Sequence, residues 1–226
     1  MVSFESVGST LDEAHALASS GAPAGTLVVA DAQTAGRGRQ GRVWRSDPGA
    51  GLWLTLIERP TDAASLDVLS LRVGLSLAPA LDAFTAHRVS LKWPNDLYVG
   101  SRKLAGILVE ARWRDSRPEW VAIGVGVNVR APAAEPKAIG LRSGTSRLDV
   151  LDAIMPAIRR AASQVGPLTE NERHAFSARD LASGRRCTEP LPGIVSGIDA
   201  SGALLVHSMD GVVAVRAGSL VLTEAL

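Results

Sequence analysis

Three arginines sit in a glycine frame at residues 36 to 42, GRGRQGR, where Arg37, Arg39 and Arg42 alternate with Gly36, Gly38 and Gly41. A free segment of this kind repels itself and is flexible, and a bound anion relieves both problems. Guanidinium forks offer phosphate oxygens paired donors, and glycines let backbone N–H groups approach as well. The spelling Gly-x-Gly-x-x-Gly also fits the dinucleotide fingerprint, which needs a strand before it and a helix after it so that the helix N-terminus faces a pyrophosphate. TLVVADAQ (26 to 33) supplies the strand, and Glu58 falls near the distance expected for a ribose-binding acid. The following RVWRSDPGAG (42 to 51) holds a proline and two glycines and cannot form the crossover helix. A P-loop fails too, because Arg42-Val43 stands where Lys-Ser/Thr is required. A phosphate clamp remains, beside two plainer readings: a solvated charged turn, or an RNA-binding arginine tract that lacks an aromatic platform.

Two more stretches carry chemistry. In EWVAIGVGVNV (119 to 129), strand alternation puts Gly124, Gly126 and Asn128 on one face and Ile123, Val125, Val127 and Val129 on the other. Paired glycines on one strand face mean that something packs flat against the backbone, either a ligand or another backbone, the plainer reading being a tightly packed helix or crossing strand. In KWPNDLYVGSRKLAGILVE (92 to 110), Lys92, Asn95, Asp96 and Lys103 are polar groups bracketed by apolar strand, though lysines at strand ends are often merely solvated.

The elements that must position these residues follow from periodicity. Thr10-x-x-Glu13 reads as a capping box opening a helix through Leu11, Ala14, Leu17 and Ala18, which GAP at 21 to 23 ends. TLVVA and GLWLTLIE (51 to 58) read as strands, and Leu66, Leu69, Val73, Leu77, Leu81 and Phe84 mark a long helix kinked at Pro79. VSLKW, a hairpin over 97 to 113 turning at Gly100-Ser101, and 119 to 129 are further strands. Successive strands with few helices between them predict a mixed or antiparallel sheet with helices on one side. A polar loop over 130 to 146 precedes helices marked by Leu151, Ile154 and Ile158, and by TENERHAFSARDL. From about Gly184, short apolar runs alternate with DASG, MDG and AGS turns, the texture of a second small β unit, a meander or barrel. The expected division is 1–180 and 181–226.

Composition narrows the function. The chain has 226 residues with 24 Lys and Arg against 23 Asp and Glu, so it carries no general bias toward DNA or a membrane surface, and any anion binding must be local. No apolar run is long enough to span a bilayer, and the N-terminus lacks the pattern of a secretion signal, so a cytoplasmic location is expected. Cys187 is the one cysteine, and His15, His87, His174 and His207 lie far apart, so no protein-built metal site is expected.

Taken in order, STLDEA (9 to 14), QTAGRGRQGRVW (33 to 44), KWPNDL (92 to 97), RKLAGILVE (102 to 110) and GVGVNV (124 to 129) resemble the biotin protein ligases. The resemblance implies an α+β class II synthetase-like biotin/lipoate ligase fold, a mixed β-sheet flanked by helices, with GIVSGIDASGALLV belonging to a small C-terminal SH3-like β-barrel. It implies activation of biotin by ATP to biotinyl-5′-AMP, Mg²⁺ as cofactor, and transfer of biotin to a lysine of a biotin carboxyl carrier protein or domain of a carboxylase. Residue by residue, it implies that Ser9, Thr10 and Gln33 bond the ureido ring. Gly36, Arg37, Gly38 and Arg39 would close over biotin, against an apolar wall of Gly106, Leu108, Gly124 and Gly126. Lys103 matches the active-site lysine, contacting both biotin and nucleotide, with Arg37, Arg39 and Asp96 completing the catalytic set. Arg39, Arg42, Trp44, Lys92, Asn95 and Asn128 fall on the nucleotide side. The loop over 36 to 46 is expected to be disordered or poorly ordered without ligand.

Two departures stand out: Leu11 occupies the third position of a usual Ser-Thr-Asn in the biotin site, and Gln40 stands where a basic residue is common. Some similar enzymes carry an N-terminal DNA-binding unit; with Ser9 so near the start, no DNA regulation is expected here. Monomers and homodimers both occur among such enzymes. The competing readings are a lipoate or octanoate ligase or transferase on the same fold, and a binding protein for biotin or adenylate that has lost the transfer step.

Overall fold

The computed structural model describes residues 1–60 and 62–223. Its main sheet has seven strands: β1 (Val2–Val7), β2 (Thr26–Gln33), β3 (Gly51–Glu58), β4 (Val89–Lys92), β5 (Asp96–Val99), β6 (Arg102–Arg114) and β7 (Arg117–Asn128). They lie in the order β1-β2-β3-β7-β6-β5-β4. The β1–β2 pair is parallel and the other pairs are antiparallel, so the sheet is mixed.

The apolar run GLWLTLIE makes β3 an interior strand, and seven of its eight residues are buried. Helices α1 (Thr10–Ser19), α2 (Leu69–Asp82) and α3 (Arg147–Ala162) cover both faces, not one. Ala14 and Ala18 bring α1 close to Val28, Ile57 and Ala122 on one face, while α2 and α3 pack Leu77, Leu81, Ile154 and Ile158 with Leu54, Ile107, Ile123 and Val125 on the other. The small residues of α1 are what the single-sided expectation passed over, since alanine carries little apolar signal.

The cap of α1 is Ser9, whose side chain accepts from the Leu11 N–H; it is not Thr10. Ser9 has the extended backbone of a cap, which frees the Thr10 hydroxyl to turn toward the sheet. The capping box expected at Thr10 occurs instead on α4 (Glu170–Ser177), between Thr169 and Glu172.

The C-terminal residues form a five-stranded antiparallel sheet from β8 (Arg186–Glu189), β9 (Gly193–Ile198), β10 (Leu204–Ser208), β11 (Gly211–Val215) and β12 (Val221–Leu222), ordered β11-β10-β9-β8-β12. Among the described residues, β11 and β12 do not pair, so this sheet is open where a closed barrel is expected. One hydrophobic core runs through both sheets, joining Leu71 and Phe176 to Val195, Leu204 and Leu220. The Trp93 indole N–H donates to the Gly202 carbonyl across the junction, 2.9 Å away. No helix among the described residues is long and apolar enough to cross a membrane.

Arg72 of α2 is 2% exposed and bonds Glu172 (Nε–Oε1 2.7 Å) and the carbonyls of Gly166 and Pro167. Burial by itself would raise the Glu172 carboxyl, but the bonds from Arg72 and Thr169 outweigh it and hold the group below its ordinary range. The depressed value means that this pair contributes stability above the ordinary carboxyl range and loses it as pH falls through the folded value. Glu172→Ala strands the buried guanidinium and is expected to cost about 3 kcal/mol at neutral pH. Urea midpoints should show that loss, with the gap to the wild type narrowing below about pH 4.

Candidate active site

A cleft of about 170 Å³ opens on the α1 face of the sheet, beyond the end of the helix. The register brings its floor together: Gly106 pairs with Gly126 and Asp96, Leu108 pairs with Gly124, and Gly124 pairs with Thr55. Directly paired residues share a face, so these side chains and bare backbones all look into the cleft.

Lys103 reaches the same face through an irregularity. Counted back by strict alternation from Gly106, it would point into the core. The β5–β6 register shifts between Leu97 and Tyr98, so Leu104 is an extra residue and Lys103 lies opposite Tyr98. The bulge turns the lysine toward Asp96, as bulges beside functional sites do. Lys103 Nζ lies 2.7 Å from Asp96 Oδ1, an ion pair set off the line of an aligned hydrogen bond. The segment after β7 braces the lysine from behind: Lys103 N–H donates to the Lys137 carbonyl, and its carbonyl accepts from Ile139 N–H (2.9 Å) and Asn128 Nδ2 (3.4 Å).

At one end the cleft is polar and compact. The Gln33 carbonyl oxygen accepts from Thr10 N–H (2.8 Å) and the Thr10 hydroxyl (3.1 Å), which in turn accepts from Thr55 at 2.9 Å. Gln33 Nε2 donates to Ser46 at 2.7 Å. The second Gln33 N–H and the Ser9 O–H remain available as donors at this end. Leu11 packs on Gly124, where an added Cβ would come within 3.2 Å of the leucine side chain.

The other end is cationic. Arg39, Arg42, Lys92 and Lys103 line it with Asp96 as the one carboxylate. Burial lowers the pKa of Arg39, opposed by Asp96 and reinforced by Arg42; burial likewise lowers Lys92, opposed by Asp96 and reinforced by Lys103, Arg42 and Lys137. Burial and neighbouring positive charge thus make Arg39 and Lys92 less stable as cations, and an arriving polyanion would relieve both together.

The glycine-arginine segment forms a small hairpin over this end. Gly38 N–H donates to the Arg42 carbonyl (2.7 Å), Trp44 N–H to the Gly36 carbonyl (2.8 Å), and Gln40 turns the chain at φ 56°. Arg42 Nη2 donates to the Ser219 hydroxyl at 2.6 Å, and Ser219 donates to Gln40 at 2.9 Å, so the segment before β12 reaches the cleft.

Trp44 lies across the glycine pair. A Cβ on Gly126 would meet its ring at 2.6 Å, and one on Gly106 at 2.9 Å; Lys103 Nζ stands 5.1 Å from the ring centre. What packs on the bare strands is a side chain, the chain's own indole, and not the second backbone expected, because a flat ring needs the same close approach; it leaves a half-buried aromatic surface beside the cations.

Most of the expected site residues converge on this cleft, including Arg37 and Gly38. Two stand aside. Asn128 is buried and turned to the Lys103 carbonyl, and Gly36 packs under Trp44 and Ser46 at the base of the hairpin. Asn95 lines the cleft with its amide committed to the Ile107 carbonyl at 2.6 Å. Sequence reasoning missed Ser46, Trp53, Thr55, Ser219 and Leu220. Thr55 and Trp53 carry a signal, two-residue alternation along β3 opposite Gly124 and Gly126, whereas Ser219 carries none.

The biotin/lipoate A/B protein ligase family matches residues 4–128, more than half of the chain. The chain belongs to this family. It is 37% identical over 242 aligned positions to the biotin--[acetyl-CoA-carboxylase] ligase of Mycobacterium tuberculosis, covering 95% of this chain and 85% of that one. It is 43% identical over 124 residues to the bifunctional ligase/repressor BirA of Bacillus spizizenii, covering 54% of this chain and 38% of that protein's length, so it spans well under half of that relative. Among solved structures, the biotin protein ligase of Aquifex aeolicus in complex with biotin and ATP superimposes with a TM-score of 0.81 at 26% identity, over 99% of this chain and 98% of that one.

The contact of Trp44 with the glycine pair gives a direct test. Gly126→Ala should destabilise the protein by about 1–3 kcal/mol, the cost of overpacking, and should be close to neutral in a Trp44→Ala background. Equal costs in both backgrounds, measured by chemical denaturation, would remove Trp44 as the reason for glycine.

Proposed function

We propose that the protein is a biotin protein ligase that joins biotin to ATP as biotinyl-5′-AMP and passes biotin to one lysine of a carboxylase carrier domain. The observation that carries this reading is a single cleft with a compact hydrogen-bonding end and a cationic end, joined at Lys103. A urea-like ring suits the Ser9 and Gln33 donors. That polarity also argues against lipoate, whose dithiolane end has no use for such groups.

In the first step an oxygen of the biotin carboxylate attacks the α-phosphorus, the bond to the β-phosphate oxygen breaks, and pyrophosphate leaves. Both reactants are anions, so catalysis depends on fixed positive charge around the place where they meet. Lys103 is within reach of carboxylate and phosphate together, Arg39 and Arg42 face the phosphates with Lys92 behind them, and Trp44 offers its ring to the base. Leu108 and Gly124 wall the biotin side, where Leu11 substitutes packing for the side-chain bond that asparagine would give. In the second step the carrier amine attacks the acyl carbon and AMP leaves, with Asp96 orienting the amine.

Among the described residues no cluster of three or more His, Cys, Asp or Glu could hold a metal. Asp96 alone suits the pattern of Mg²⁺, which takes one or two carboxylates and otherwise phosphate and water oxygens. The ion would supply neutralisation of phosphate charge. Asn128 would act through the Lys103 backbone rather than on the adenylate.

The reading extends to a catalytic unit over 1–180, a C-terminal SH3-like unit over 181–226, and action in the cytoplasm as a monomer or homodimer without DNA. Incubation with ATP, Mg²⁺, biotin and a carrier domain should give avidin-detectable transfer. Bound biotinyl-AMP without transfer would favour a binding protein, and absence of both would overturn the reading. Lys103→Ala should lower adenylate formation by about 10²-fold or more, the scale of losing one preorganised charge contact; an unchanged rate would remove its role. Arg39→Ala should weaken ATP more than biotin, and equal losses in two separate titrations would contradict a phosphate contact.

A further inference from the structure

Arg37 differs from the other arginines of its hairpin. Its Nη2 lies 2.9 Å from Asp12 Oδ1 and 2.9 Å from Glu110 Oε2, so one guanidinium is matched by two carboxylates. Arg39 and Arg42 instead face each other and two lysines across the cleft. The hairpin therefore contains one arginine held by two carboxylates of the chain itself, whereas Arg42 bonds only the neutral Ser219 and Gln40 and Arg39 faces Asp96 across the cleft.

Glu110 is itself held. Its Oε2 also lies 3.0 Å from His15 Nε2, and the Trp120 indole N–H donates to His15 Nδ1 at 2.9 Å. Because an indole can only donate, Nδ1 must be the unprotonated nitrogen, which makes Nε2–H the donor to Glu110. Trp120 is 6% exposed, with Arg59 at 6.0 Å from its ring centre. Asp12 and His15 stand one turn apart on α1, Glu110 is on β6, and Trp120 is on β7. A polar relay from the sheet interior to the loop thus fixes the carboxylate.

We propose that Glu110, oriented by His15 and Trp120, acts with Asp12 as a latch that holds the arginine hairpin over the cleft through Arg37. These four are positioning residues. Arg37 is 37% exposed and Asp12 61% exposed, so the latch is weak enough to open for entry and reform behind the substrate. It rests on the ligase reading for what it encloses, but not for its own existence.

Two measurements on the full chain test it. Trypsin cuts extended chain, and the hydrogen-bonded hairpin turn disfavours that shape at Arg37, Arg39 and Arg42, so Glu110→Ala should speed cleavage there by about fivefold, the scale of a partly exposed charge network. Glu110→Gln, which keeps shape and loses charge, should fall between Glu110→Ala and wild type and guards against a folding defect. His15→Ala should act in the same direction and add nothing in the Glu110→Ala background. Release of radiolabelled biotin into excess unlabelled biotin should quicken by a similar factor in Glu110→Ala, and that effect should vanish when Arg37→Ala is already present.

Wild-type rates of cleavage and release in Glu110→Ala, or an undiminished effect in the Arg37→Ala background, would overturn the latch. If the wild type binds no biotin, the ligase reading fails while the cleavage rates still judge the latch.

Discussion

Only hydrogen fits between the backbone and the indole at Gly106 and Gly126, and the site depends on that close approach. The paired glycines let Trp44 lie flat on two strands, which anchors the far end of the arginine hairpin. The ring in turn presents a face to the cleft next to Lys103. A methyl group at either glycine would lift the ring, and with it the hairpin and the cation-lined space beneath. The bare strand is therefore a receptor for part of the same chain, through which the chain meets its ligand.

Charge placement is the second constraint, and it comes from an irregular strand. A regular β6 would bury Lys103 among leucines, where an ammonium loses its hydration without recompense. The extra residue at Leu104 returns it to the face that holds Asp96, and backbone bonds from Lys137 and Ile139 keep it there. The cleft consequently holds several cations against one carboxylate, an arrangement that suits polyphosphate and is unfavourable when empty. Ion pairing at Asp96 and packing around Arg39 and Lys92 offset part of that cost.

Much of this was legible in the sequence. The β-branched runs and their turns placed β2 to β7, and three-to-four-residue spacing placed α2 and α3. Alternation correctly put Gly124, Gly126 and Asn128 on one face. Other features leave no local trace. β1 is an edge strand of mixed polarity that pairs in parallel only after α1 has crossed back, and β8 is four residues long. The bulge at Leu104 depends on pairing with β5, so strand period alone assigned Lys103 no face. Asn128 has the right parity for the cleft yet turns to a backbone carbonyl, and Ser219 arrives from a separate sheet. Tertiary pairing decides each of these, and spacing in one segment cannot report it.

The Trp93–Gly202 bond and the shared core also bear on how the chain can vary. Trp93 stands three residues before Asp96, so the C-terminal sheet supports the strand that carries the cleft's carboxylate. A lesion in β9 or β10 would loosen that strand without touching a ligand. Inherited changes in the C-terminal residues would then imitate active-site defects, and compensating changes are to be sought around Trp93 and Leu71 rather than beside the lesion.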